Sequence, residues 1–282
     1  MRIRKYKFDS EYFKTIDSNE KAYWLGFIYA DGNVYKYTLG IKLAGCDLSV
    51  LEKFKQDISA NCPIKPVKDK DAYVIKINSK ELIAQLAVLG VTANKSDKIS
   101  WPPIKKEFYP AFILGFYDGD GWITAKHAKN PAWLSWTVGF ASCSQKFVRS
   151  LRKLFKEYGC GCGYHVVRPS EGKRKTVYQL CYYGQAAKRV LDQIYCVDFN
   201  IKRKKECYEK FSKYLETKSD KKISKYIGVS FDKKYKKWHS RIQHGGRRVL
   251  IGFYESELEA VMAYNKFIDK HGIPKYKKNE MS

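Results

Sequence analysis

The stretch that decides the fold is AYWLGFIYADGNV, Ala22 to Val34, because the chain contains it twice. The second copy is AFILGFYDGDGWI, Ala111 to Ile123, with Gly26, Asp31 and Gly32 aligned to Gly115, Asp120 and Gly121 at an offset of 89. Beyond it, IKLAGCDLSVLEKF (Ile41 to Phe54) echoes VGFASCSQKFVRSL (Val138 to Leu151) at an offset of 97. AYVIKINSKELIAQLAVLG (Ala72 to Gly90) then echoes VYQLCYYGQAAKRVLDQIY (Val177 to Tyr195) at an offset of 105. Matches in constant order, with an offset that grows only by insertion, mark two copies of one unit. Two copies make a pair of pseudo-symmetric halves, not a solenoid.

Periodicity reads each half the same way. Asp17-Ser18-Asn19-Glu20 suits an acidic N-cap and capping box ahead of an apolar helix, and Gly32 suits its C-terminal stop. Val34–Tyr37 and Thr38–Leu43 have strand character, Leu48–Ile58 has helical spacing, and strand-like Tyr73–Ile77 precedes helix-like Lys80–Leu89. The order α-β-β-α-β-β-α, twice, predicts an α+β fold with halves at residues 1–100 and 101–215. A basic amphipathic stretch, Ile201 to Leu215, leads into a polar linker at 216–224. Residues 225–272 follow a third pattern, with strands Tyr226–Phe231, Trp238–Gln243 and Arg248–Phe253 joined by a basic turn and a Gly-Gly turn. Ser256–Ile268 then predicts a helix offering Leu258, Val261, Met262, Ala263 and Phe267 to that three-stranded antiparallel sheet, and 273–282 read as a basic tail.

Composition bounds the function. The 282 residues carry 54 Lys+Arg against 29 Asp+Glu, a formal net charge of +25 that calls for a polyanionic partner. With 44% hydrophobic and 15% aromatic residues the chain can bury a core, which excludes a disordered basic tail. No run of 18 apolar residues exists to span a membrane, and MRIRKYKFDSEYF lacks the apolar stretch of a secretory signal. Eight cysteines without a Cys-x-x-Cys pair read as reduced thiols rather than a zinc site or a disulfide framework. Residues 1–199 hold a net +13 and residues 200–282 a net +12. Charge spread in this way among 22 Tyr and 6 Trp fits an extended nucleic-acid surface better than a membrane patch.

The repeated helices suggest chemistry. Gly26 and Ala30 lie four apart on one helical face, as do Gly115 and Gly119, so two backbones can approach closely. Packed on those faces, the helices would deliver Asp31 and Asp120 side by side at their C-terminal ends. Both the macrodipole and mutual repulsion disfavour that placement, and they would raise the carboxyl pKa values. A divalent cation such as Mg²⁺ is the natural partner, and a metal-bearing acidic pair in a basic protein fits phosphodiester hydrolysis. The competing reading makes each Asp-Gly an Asx-type turn.

Trp24 to Gly32 and Ile113 to Gly121 resemble the two motifs of a single-chain LAGLIDADG homing endonuclease, a likeness covering about residues 15 to 210. The resemblance implies that the motif helices form the interface between halves and that each half presents a curved antiparallel sheet to the major groove. It places the metal-binding acids at Asp31 and Asp120. It also implies Mg²⁺-dependent cleavage of both strands of a long, asymmetric DNA site, leaving 3′ overhangs, by a monomer. The motif departs from the family at Trp24 and Tyr29, where a Leu and an Asp are usual. The family uses a basic residue near the active centre of each half. Repeat alignment offers Lys95 or Lys98 in NKSDKI and Arg203 or Lys204 in IKRKK, with Lys98 and Arg203 taken as catalytic candidates and phosphate contact as the alternative. Base contacts are expected from Lys36, Lys42, Lys76, Lys126, Arg168, Lys173, Arg174 and Gln179.

In the C-terminal segment, Tyr226-Ile227-Gly228-Val229, Trp238, Ile242, Ile251-Gly252-Phe253, Glu259-Ala260 and Ala263-Tyr264-Asn265 resemble the Apetala-two/ethylene-response-factor DNA-binding domain. That likeness implies a sheet laid in the major groove that reads bases with Arg and Trp, with Arg248, Lys236 and Lys237 as DNA contacts; strand phase adds Arg241, and Trp238 is read as a core residue rather than a DNA contact. The leading expectation is a site-specific DNA endonuclease. The alternatives are an intron maturase and a non-catalytic DNA-binding protein on the same scaffold. The expected compartment is the cytoplasm or nucleoid of a bacterial or phage host, or an organelle.

Overall fold

The two repeated stretches form α1 (Asn19–Asp31) and α4 (Tyr109–Asp120), buried on every side over Ala22–Tyr29 and Ala111–Asp118. A helix that is apolar all round needs partners on opposite faces, and each of these has its own sheet on one side and the other helix on the other. The approach is limited by backbone, not by side chains. A Cβ on Gly26 would lie 1.9 Å from the Phe112 carbonyl oxygen, and one on Gly115 would lie 1.9 Å from the Tyr23 carbonyl oxygen. Phe112 is the repeat counterpart of Tyr23, so the contact is reciprocal about the pseudo-twofold axis.

The structure is a computed structural model that describes residues 5–127, 134–169, 172, 175–198, 200–219, 224, 226–232, 234–244, 247–272 and 278–279. The chain divides into two compact units, Met1–Ser212 and Lys213–Ser282. In the first unit, α1 is followed by β1 (Gly32–Tyr35), β2 (Thr38–Ala44), α2 (Leu48–Asp57), β3 (Lys65–Pro66), β4 (Ala72–Asn78) and α3 (Lys80–Val88). The second half repeats this as α4, β5 (Gly121–His127), β6 (Leu134–Ser142), α5 (Gln145–Glu157), β7 (Tyr164–Arg168), β8 (Val177–Tyr183) and α6 (Gly184–Ile194). The antiparallel sheets have matching orders, β1-β2-β4-β3 and β5-β6-β8-β7. Alternation along β2 and β6 turns Leu39, Ile41 and Leu43, and Trp136, Val138 and Phe140, towards the helices, leaving the opposite face of each sheet to solvent. Among the described residues no helix is long and apolar enough to cross a membrane.

The second unit contains β9 (Val229–Asp232), β10 (Lys237–His244), β11 (Arg247–Tyr254) and α8 (Glu257–His271), in sheet order β11-β10-β9. One face of the sheet packs on α8 through Val229, Trp238, Ala260 and Val261, and through Ile242, Tyr264 and Ile268. Trp238 is a core residue, as expected.

Several expectations need correction. Ser18 caps α1 by accepting from the Lys21 amide, but Glu20 receives the Tyr12 hydroxyl instead of closing a capping box; the capping box lies at α8, between Ser256 and Glu259. Gly32 ends α1 in an extended conformation, not a left-handed one, because the chain passes straight into β1; a Cβ there would lie 2.6 Å from the Ile28 carbonyl oxygen. Strand pairing sets Gly32 against Ile41 and Gly121 against Phe140, so the strands repeat at an offset of 99 while α2 and α5 keep 97. The two extra residues fall at the 3-10 turn Gly45–Asp47, and an even shift leaves the buried face unchanged. Glu216–Ser219, read as linker, are the end of α7 (Lys202–Ser219). On α8, Leu258 and Met262 are exposed, and Ala260, Tyr264 and Ile268 occupy the sheet side. The tail holds a structural residue: Asn279 exchanges hydrogen bonds with the Ile227 backbone and with the Asn265 side chain. The Gly-Gly turn at 245–246 lies outside the described residues.

Replacing Gly26 by alanine is expected to cost about 1–3 kcal/mol or more, since neither helix backbone can give way. Gly40, whose added Cβ would meet nothing closer than 3.9 Å, is the control. Urea unfolding midpoints of Gly26→Ala and Gly40→Ala decide the matter, and equal midpoints would contradict the packing argument.

Candidate active site and nucleic-acid interface

The glycine contact fixes where the helices end. Asp31 and Asp120 are the last residues of α1 and α4. A Cβ on Gly119 would lie 2.3 Å from the Ala30 Cβ and 3.2 Å from the Asp31 Oδ2, so the Asp31 carboxylate lies against the residue preceding Asp120. Both aspartates remain open to solvent on one side. Crowding by the surrounding protein removes hydration on the other and pushes Asp120 up to about 6, with the charge of Asp31 adding to the shift. Asp31 is raised by the same loss of hydration, against the opposing pull of Lys204 and Lys95.

Those two lysines complete the centre. Lys95, 6% exposed, donates to the carbonyls of Tyr29 at 2.6 Å and Ala30 at 3.1 Å. Lys204, 5% exposed, donates to Tyr117 at 2.6 Å, Asp118 at 2.8 Å and Gly121 at 2.7 Å. These acceptors lie at the carbonyl-rich ends of α1 and α4, where an ammonium meets both orphan acceptors and the negative end of the macrodipole. Burial lowers both ammonium pKa values to about 8, against the pull of the nearby aspartates. Lys98 is exposed. Arg203 instead clasps Asp47, Nε to Oδ1 at 3.0 Å and Nη2 to Oδ2 at 2.8 Å, joining the start of α7 to the first half. The structure therefore brings Lys95 and Lys204, rather than Lys98 and Arg203, to the helix ends.

The departures from the motif have local causes. Asp118 is buried at 2% exposure, accepting from the Tyr23 hydroxyl at 2.8 Å and the Ile201 amide at 2.7 Å. Its counterpart Tyr29 gives its hydroxyl to the Leu89 carbonyl, so each residue ties its motif helix to a following segment. Trp24 is also buried, and its indole donates to Asp57 at the end of α2 at 2.8 Å.

Lys42 and Lys76 share the solvent face of the first sheet, and Lys126, Arg168 and Gln179 that of the second, with Lys36 in the β1–β2 turn at φ 51°. Lys173 and Arg174 lie outside the described residues. Asn33, Lys65 and Asn78 share the face of Lys42; period-two counting from Lys42 and Lys76 was the signal that could have found them. In the second unit, Arg241 and Arg248 lie on the sheet face opposite α8, Lys236 sits in the β9–β10 turn and Lys237 pairs with Glu255 at 2.6 Å. His239 shares that face, bonded to the Ser230 hydroxyl at 3.1 Å.

Among the described residues no cluster of three or more His, Cys, Asp or Glu side chains could hold a metal. Asp31 and Asp120 provide two hard oxygen donors with raised pKa values, a donor set that suits a small hard cation completing its shell with water and phosphate oxygens.

Residues 107–195 match the LAGLIDADG-like domain family. The chain is 26% identical over 193 residues, 65% of its length, to a protein described as probable translation initiation factor IF-2 of Methanocaldococcus jannaschii, and 30% identical over 123 residues, 41% of its length, to the replication factor C small subunit of the same organism. It spans only 15% and 7% of those two proteins. Among solved structures it is similar to meganuclease I-SmaMI bound to uncleaveable DNA, with 13% identity and a TM-score of 0.49 over 70% of this chain and 90% of that one. It is also similar to the I-LtrWI LAGLIDADG homing endonuclease bound to target DNA, with 12% identity and a TM-score of 0.46 over 75% and 92%. The matched residues 107–195 fall in the second half of the first unit, whose strand order and long apolar helix the first half repeats.

Proposed function

We propose that the chain is a site-specific DNA endonuclease that hydrolyses one phosphodiester in each strand of a duplex laid across its two sheets. The observation that carries the reading is the pair Asp31 and Asp120, held at the ends of two helices in backbone contact and flanked by two buried lysines. A like-charge pair in so tight a place opposes folding, and a protein that only binds DNA gains nothing from it. Asp31 and Asp120 would hold a divalent cation such as Mg²⁺, which supplies an acidified water and charge stabilisation on the phosphate. Lys95 and Lys204 fix the helix ends that carry the acids and place positive charge beside the scissile groups. Lysine, asparagine and arginine on the solvent faces of the sheets contact phosphates and base edges. Arg241, Arg248 and Lys236 make the second unit an additional duplex-binding module of the Apetala-two type. Two tethered modules engage a longer site than either alone, since the second contact forms at high effective concentration.

Asp31→Asn and Asp120→Asn are each expected to reduce Mg²⁺-dependent cleavage of a selected site by ~100-fold or more, with duplex affinity within about twofold of the parent. Full cleavage by the double variant would remove the acids from the mechanism.

The same substitution tests the electrostatics. Below about 3.8, the ordinary value, Asp120 is protonated folded or unfolded and costs nothing. Between that value and about 6 the folded state holds the proton more tightly, so stability falls as pH rises. Asp120→Asn measured in EDTA should therefore be more stable than the parent at pH 7, with the gain shrinking towards pH 4. A gain independent of pH would show that crowding and repulsion at the carboxylate are not its source.

Deleting residues 220–282, which keeps α7, should weaken duplex binding and make its dependence on salt less steep. The slope of log affinity against log salt should fall by roughly 0.9 for each phosphate that the second unit neutralises. Unchanged affinity and slope would remove the second unit from the interface.

A further inference from the structure

Aspartate is among the best N-cap residues, because its carboxylate accepts from the first free amides of a helix. Asp47 stands at that position before α2, yet its side chain caps nothing. Both of its oxygens go instead to Arg203, 156 residues along the chain. The Asp47 side chain is 8% exposed and the Arg203 side chain 55%, so the arginine comes in from the surface to satisfy a nearly buried acid. At the helical offset of 97 the counterpart of Asp47 is Ser144, in the same place before α5. Ser144 does cap its helix, accepting from the Phe147 amide at 3.3 Å. Its own proton goes elsewhere, to the Ile99 carbonyl at 2.5 Å, in a buried bond.

These two bonds cross between the halves in opposite senses. Arg203 precedes Lys204, so Asp47 ties the first half to the segment that carries the lysine of the second. Ile99 closes the turn that holds Lys95, its amide donating to the Lys95 carbonyl at 3.0 Å. Ser144 therefore ties the second half to the segment that carries the lysine of the first. The Lys175–Asp97 ion pair, at 2.7 Å, spans the same joint on the surface, where such a pair adds little. The lysines and acids face each other across the same division. Lys95 and Asp120 line one cavity of about 330 Å³, with Ile99 and Ser142 in its wall. Burial raises both acids; against it Lys95 pulls harder than Lys204 on Asp120, and Lys204 harder than Lys95 on Asp31.

We propose that Asp47 and Ser144 are positioning residues, each holding the lysine of the opposite half against the acid of its own half. This rests on the endonuclease reading above, with each acid and its facing lysine serving one strand. Each ammonium bonds only carbonyls of its own half. Those bonds place it on its own helix end and leave its distance to the facing acid to depend on how the halves meet. Asp47 and Ser144 remove that freedom by anchoring the lysine segment to the half that carries the facing acid. A displacement of about 1 Å at a reacting group can cost ~100-fold in rate. Each brace therefore governs the cut in one strand.

The test uses the full chain and a duplex site selected from a random library, with the two strands labelled separately and cut in single turnover with Mg²⁺. Lys95→Met and Lys204→Met first assign to each lysine the strand whose cut it slows more. Ser144→Ala should then slow the Lys95 strand ~10-fold or more and leave the other within about threefold, so that nicked duplex accumulates. Asp47→Asn should do the same to the Lys204 strand. The ratio of the two strand rates is insensitive to partial unfolding, because unfolded chain cuts neither strand. Combining Asp47→Asn with Arg203→Gln should cost the Lys204 strand no more than the more damaging of the two alone, since both remove one bond. Additive losses, equal slowing of both strands, slowing of the wrong strand, or lysine variants without strand preference would overturn the inference. Absence of cleavage by the parent chain would overturn the endonuclease reading instead.

Discussion

Everything in the first unit is organised around a contact in which two helices touch with no side chain between them. Gly26 and Gly115 let the carbonyls of Phe112 and Tyr23 approach to a distance that any Cβ would occupy. That closeness determines how far apart the last residues of α1 and α4 can be, and so determines that two carboxylates share one small volume. It also sets the separation of the sheets, because each begins at the glycine that follows its aspartate. Geometry at the acids and reach across a duplex are therefore not independent properties of this chain.

The electrostatics follow from that constraint. Two acids at helix C-termini are opposed by the macrodipole and by each other. The protein answers with Lys95 and Lys204, which bond to helix-terminal carbonyls and not to the carboxylates. The ammonium groups offset local negative charge while leaving the acid oxygens uncommitted. An ion pair in their place would have satisfied the acids and blocked a cation.

Much of this was legible in the sequence, because glycine and aspartate at fixed spacing in two apolar stretches admit few physical explanations. The halves, the sheet composition and the paired acids follow from that pattern together with period-two and period-3.6 alternation. The choice of lysine was not legible. Lys95 turns inward because Asn94 adopts a left-handed conformation ahead of the 3-10 turn Lys95–Asp97, and nothing in NKSDKI distinguishes it from Lys98. Arg203 and Lys204 are neighbours on α7, separated by about 100° of helical phase, and the phase is set by where the helix begins. The insertion at Gly45–Asp47 was hidden for a related reason, since alignment of the helices and of the strands requires different offsets. Asn279 sits among lysines in the sequence, and only its four hydrogen bonds reveal its role.

The contact between Ala30 and Gly119 has a consequence for how the halves can pair. The methyl of Ala30 fills the space that Gly119 leaves open, and a Cβ at 119 would overlap it at 2.3 Å. A symmetric dimer of the first half would set alanine against alanine and force the helices apart, while a dimer of the second would set glycine against glycine and leave a gap. Each half has become a lock for the other. The close fit at this point belongs to the mixed pair, alanine against glycine, and to neither half paired with itself.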